Sequence, residues 1–239
     1  MSGNLNRFQK IAVEVCANSV KSALSGQSGG AVRIELCDNL AVGGLTPPLE
    51  QIQQARNGLH IQLYVIIRPR EGDFIYNDTE FEMMKQSIRM CGETGCDGVV
   101  IGMLTPQGGI DTHRCAELIQ IARDFSMGVT FHRAFDCCID LFHSLDAILC
   151  LGCDRILTSG GKNSAPEGAW VIKQLIDRAA GRISIMPGAG ITVSTIAELV
   201  RITGLKEFHG SFQSDFAGEL FTDADKVKEV IRIANSINV

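Results

Sequence analysis

The sequence predicts a single (β/α)8 barrel over residues 1–239. Short β-branched and apolar runs alternate with helical stretches along the whole chain. The alternation amounts to eight strand–helix units in a length that suits this fold, and no low-complexity linker interrupts it. A doubly wound open sheet alternates in the same way, but no Gly-x-Gly-x-x-Gly turn follows the first strand.

Taken in order, residues 10–15 read as the first strand and 19–24 as the first helix. Residues 32–36 form the second strand. Asp38-Asn39 and Gly43-Gly44 break that run, and Pro47 opens a helix that includes residues 49–54. Residues 61–67 form the third strand, followed by the charged loop from Arg68 to Phe74 and a helix over 78–94. Strands at 97–102 and 128–132 flank a helix over 111–125. The sixth, seventh and eighth strands fall at 154–158, 183–186 and 207–209, and the last helices span 168–179, 192–202 and 223–236.

Bulk properties narrow the function. With 45% hydrophobic residues and a net charge of -5, the chain reads as a soluble globular protein. No apolar run reaches the roughly 20 residues needed to cross a bilayer, and the polar residues 1–9 lack the core of a secretion signal. A cytoplasmic location is therefore expected, without a membrane partner. No basic cluster with interleaved aromatics points to nucleic acid. Nine cysteines, scattered and odd in number, are expected to be reduced and mostly buried.

In a barrel of this kind chemistry sits where the strands end. Side chains alternate along a strand, so Glu35 and Cys37 share one face, and Glu14 and Cys16 repeat the pattern 21 residues earlier. Other strand ends carry Arg68 with Arg70 and Asp73, His132 with Arg133 and Asp136, Ser159-Gly160-Gly161, Gly188-Ala189-Gly190, and His209-Gly210-Ser211. Ionisable groups pointing into a barrel are costly unless paired or liganded, so the set implies ion pairing, a ligand, or both.

Several stretches are more specific: Arg33-Ile-Glu-Leu-Cys37, Gly43-Gly-Leu-Thr-Pro47, Ile67-Arg-Pro-Arg70, Gly72-Asp-Phe-Ile-Tyr76, Thr130-Phe-His-Arg-Ala-Phe-Asp136 and Leu157-Thr-Ser-Gly160. Together they resemble the CutC family of copper homeostasis proteins. The resemblance implies a TIM barrel, a cytoplasmic location, self-association into a homo-oligomer, and copper handling. In carrying both Cys16 and Cys37, the chain resembles the eukaryotic members, whose matching pair is proposed to hold Cu(I). It departs from the family pattern at Glu71, Ala189 and Phe212.

Two chemistries follow. Neighbouring strands lie about 4.8 Å apart, so thiols at matched levels on the first two strands can share an ion, and soft thiolates select Cu(I). Buried cysteines also simply pack. The rival reading is an enzyme acting on a small phosphorylated or carboxylated metabolite, with Glu14, Glu35, His132 and Asp136 as acid–base groups. Its anion pocket combines Arg68, Arg70, Asp73, Arg133, Ser159, Gly160, Gly188, Gly190, His209 and Ser211, because glycine turns let backbone N–H groups approach an anion.

Overall fold

Short runs that are apolar on alternate residues make strands with two buried faces, and the computed structural model, which describes residues 10–237, pairs eight of them in parallel. These are β1 (Ala12–Ala17), β2 (Arg33–Leu36), β3 (Gln62–Ile66), β4 (Gly98–Ile101), β5 (Gly128–Phe131), β6 (Arg155–Thr158), β7 (Ser184–Pro187) and β8 (Glu207–Gly210). Each of the first seven pairs with its neighbour in sequence, and β8 returns to β1. The sheet thereby curls until β7 and β8 meet, where Ser184 donates to Glu207 at 2.5 Å. The eight strands and the helices around them form the (β/α)8 barrel.

Helices α1 (Val20–Ser28), α2 (Leu49–Gly58), α3 (Asp78–Glu93), α4 (Thr112–Asp124), α5 (Leu141–Leu151), α6 (Ala169–Ala179), α7 (Ile196–Thr203) and α8 (Ala224–Ser236) complete the units. Val13, Val15 and Ala17 belong to the main core shared with the helices. Cys16, Cys37, Tyr64, Ile66 and Val100 form a separate cluster. This division is the one strand alternation requires.

The first strand lies two residues later than expected, because its ladder to β8 begins at Ala12 and its ladder to β2 runs on to Ala17. One helix and one hairpin go beyond the elements the sequence predicts. Helix α5 is capped by Asp140, which accepts from the N–H groups of Phe142 and His143 at 2.9 and 3.0 Å, and it stops at Gly152 with φ 76°. A hairpin, β9 (Gln213–Phe216) with β10 (Glu219–Thr222), turns at Ala217-Gly218, both at positive φ. The polar segment 1–9 lies outside the described residues, and none of the described helices is long and apolar enough to cross a membrane.

Toward the strand N-termini the barrel interior is ionic. Arg33 pairs with Glu14 and, at 2.6 Å, with Glu207, which also takes Arg155 at 3.1 Å. Arg155 donates to the Tyr64 hydroxyl at 3.1 Å. Tyr64 fits because a Cβ at Gly98 would fall 2.3 Å from its ring and one at Gly128 would fall 2.0 Å from its hydroxyl.

Candidate metal and ligand site at the barrel mouth

Strand β2 turns Arg33 and Glu35 inward, and β1 turns in Glu14 and Cys16. Ladder partners here are 19 residues apart, Glu14 beside Arg33 and Cys16 beside Glu35. The thiols are therefore not at matched levels, as the 21-residue repeat suggested: Cys37 follows the end of β2, one inward position beyond Glu35. Its sulfur nevertheless lies 3.7 Å from that of Cys16. Gly44 leaves the room for this, since a Cβ there would sit 3.2 Å from the Cβ of Cys37.

Three groups surround the pair. Glu14 is fully buried and accepts from Arg33 and, at 2.8 Å, from His209 Nδ1. Burial alone would raise its carboxyl, but Arg33 and His209 outweigh burial and hold it down at about 2. Glu35 has burial as its dominant influence, is lifted to about 7, and keeps Oε2 without a hydrogen bond. His209, 3.4 Å from Glu35, is lowered by burial, but the two carboxylates prevail and raise it. The Cys16 thiol is raised well above its usual range by its hydrogen bond to Cys37, then by burial and the carboxylates. One donor atom each from Cys16, Glu35 and His209 lies within 4.8 Å of the other two.

Above this cluster opens a cavity of about 480 Å³. Of the residues singled out in the sequence, Cys16, Glu35, Arg68, His132, Arg133, Asp136, Gly190, His209 and Ser211 line it. Glu14 and Cys37 lie behind that lining. The expected anion pocket does not gather all its members. Arg70 and Asp73 pair with each other at 2.9 Å in the exposed loop after β3, where Arg70 also takes Glu80 at 2.6 Å. Ser159 turns to Asp136, Gly160 packs on the backbone of Gly168, and Gly188 packs on Leu157 and His209.

Asp136 lines the mouth with both oxygens occupied: Arg133 Nε, Thr158 Oγ1, Ser159 N and Oγ, and Gly161 N all donate to it. Arg68 straps the loops after β2 and β3, donating to the carbonyls of Val42, Gly44 and Gly72 at 2.7, 3.1 and 2.9 Å. His132 accepts from Ala134 N–H at Nδ1, 3.1 Å away, which leaves its proton on Nε2. Burial, reinforced by the Arg68 charge, holds it at about 3, so it is neutral at physiological pH. Its Nε2 has no hydrogen-bond partner among the described residues. Of the four expected acid–base residues, Glu35 and His132 retain a free polar atom. The sequence reading passed over Arg33, Tyr64, Arg155 and Glu207. Alternation was the available signal for Arg33, which shares the face of Glu35.

Fold and site together define a class: a TIM-barrel protein with a buried thiol–carboxylate–imidazole cluster at the C-terminal mouth of its strands. The chain belongs to the CutC family, whose sequence profile matches residues 11–214. It is 46% identical over 236 residues to a CutC family protein of Xylella fastidiosa strain Temecula1, covering 92% of this chain and 88% of that one. A provisionally assigned copper homeostasis protein CutC from Streptococcus agalactiae superposes with a TM-score of 0.79 at 37% identity, covering 84% of this chain and 98% of the other. Phosphoribosyl anthranilate isomerase from Thermotoga maritima, at 12% identity and a TM-score of 0.61 over 95% of this chain and all of its own, shares the fold alone.

Proposed function

We propose that this chain is a copper homeostasis protein that takes up Cu(I) between Cys16 and Cys37. One observation carries the reading: two unbridged buried sulfurs stand 3.7 Å apart. Metal–sulfur bonds of about 2.3 Å let two thiolates straddle an ion at separations up to about 4.6 Å, so the pair needs little movement to close on a metal. Two sulfurs suit a soft monovalent ion better than zinc, which ordinarily wants four ligands in structural sites. His209 and Glu35 stand close enough to Cys16 to complete the coordination.

Cys16 faces the cavity, which supplies a way in, while Cys37 lies behind it. Both thiols must lose protons on loading, so uptake strengthens as pH rises. The copper role named for the Streptococcus agalactiae relative supports the assignment. All nine cysteines are free, which accords with a reducing, cytoplasmic setting. Self-association into a homo-oligomer, which the family resemblance implies, belongs to the same reading. Copper-edge X-ray absorption of protein loaded with one equivalent of Cu(I) tests the reading: two sulfur neighbours are expected, and a shell of nitrogen and oxygen alone contradicts it.

A further inference from the structure

The cavity wall formed by the ends of β3 and β5 carries a charge and a donor that nothing among the described residues satisfies. Arg68, 5% exposed, spends its bonds on three loop carbonyls and pairs with no carboxylate among the described residues. A buried guanidinium without a counter-charge calls for an anion. His132, 4% exposed, follows β5, four strands round the barrel from β1, and its Nε2–H is buried without an acceptor. Phe74 joins the two, its ring 5.0 Å from that of His132 and 5.1 Å from the Arg68 guanidinium carbon. Ile66 and Leu157 extend the apolar lining.

We infer that this cavity binds a small organic carboxylate, with an oxygen on His132 Nε2–H beside the Arg68 guanidinium and its carbon body against Phe74, Ile66 and Leu157. The charge balance selects the class. One uncompensated cation matches one negative charge, and His132 adds a neutral donor in place of a second cation. Glu35, which also lines the cavity, is an acid held 3.4 Å from His209 and adds no positive charge that would favour a phosphate dianion. The Arg68 charge and the His132 donor orient the ligand, carboxylate toward the ends of β3 and β5. A volume of about 480 Å³ accommodates a compact organic acid.

The test uses the full chain without metal and the probes acetate, propionate and benzoate, with their amides and inorganic phosphate as controls. Calorimetry and thermal unfolding are expected to show binding by the carboxylates in preference to amides and phosphate. His132→Leu is expected to weaken that binding by at least about tenfold, and His132→Gln, which restores an N–H, to recover part of it. In the wild type, the NMR resonance of the His132 Nε2 proton is expected to move on carboxylate addition, a readout independent of any variant's folding. Carboxylate binding is read on metal-free protein and copper loading by a separate Cu(I) titration, so the outcome is separable from that of the copper reading. No carboxylate binding, a preference for phosphate, undiminished binding by a folded His132→Leu, or a stationary Nε2 proton each overturns the inference.

Discussion

The sulfurs of Cys16 and Cys37 lie 3.7 Å apart although Cys16 stands beside Glu35 in the β-ladder. The offset sets the character of the site. Placing Glu35 level with Cys16 brings a carboxylate against a thiol, and His209 from β8 stands between the carboxylates of Glu14 and Glu35. Sulfur, imidazole and carboxylate donor atoms therefore come within 4.8 Å of one another, beside the ion pairs of Arg33.

The two buried carboxylates are expected to give metal-free protein a peaked pH–stability profile. Glu14 is depressed from 4.5 to about 2, so its contribution is present above 4.5 and disappears as pH falls toward 2, a loss on the order of 3 kcal/mol. Glu35 is raised from 4.5 to about 7, so its contribution is present below 4.5 and is lost as pH rises through 7, by a similar amount. The raised His209 acts in the same direction as Glu35. Urea unfolding across pH 3–8 is expected to show stability greatest near pH 4.5 from these groups, and Glu35→Gln is expected to flatten the decline between 4.5 and 7.

Asp136 is expected to matter first to the architecture of the mouth. Replacing it by Ala strips an acceptor from Arg133, Thr158, Ser159 and Gly161 at once. A loss of about 2–4 kcal/mol in unfolding free energy is expected, with increased hydrogen exchange at the amides of Ser159 and Gly161.

Gly98→Ala is expected to cost about 1–3 kcal/mol, because the added methyl collides with the Tyr64 ring, whose hydroxyl is held by Arg155. Thermal unfolding measures this directly. Combining the substitution with Tyr64→Leu, which removes the ring, is expected to give less than the sum of the two single effects.

Much of this was legible in the sequence for a simple physical reason. Period-2 alternation shows which residues share a strand face, so Glu14 with Cys16, and Glu35 with Cys37, could be placed before any coordinates. Inter-strand offset is set by barrel tilt and loop length, and no single strand encodes it. The level of Cys16 with Glu35 was therefore misread. Helix α5 escaped notice because Leu-Phe-His-Ser-Leu-Asp-Ala-Ile-Leu-Cys-Leu is apolar on most sides and lacks a clear polar stripe. The arginines were the least legible. Arg68 binds backbone carbonyls, which leave no mark on sequence, whereas Arg70 is drawn away from the mouth by Asp73 and Glu80.

The most direct measurement is anaerobic Cu(I) titration of the wild type and the Cys16→Ser, Cys37→Ser double variant against a competing chelator, with circular dichroism to verify the fold. The account predicts one tightly held equivalent in the wild type and none in a folded double variant. Stoichiometric copper retained by that variant would contradict it.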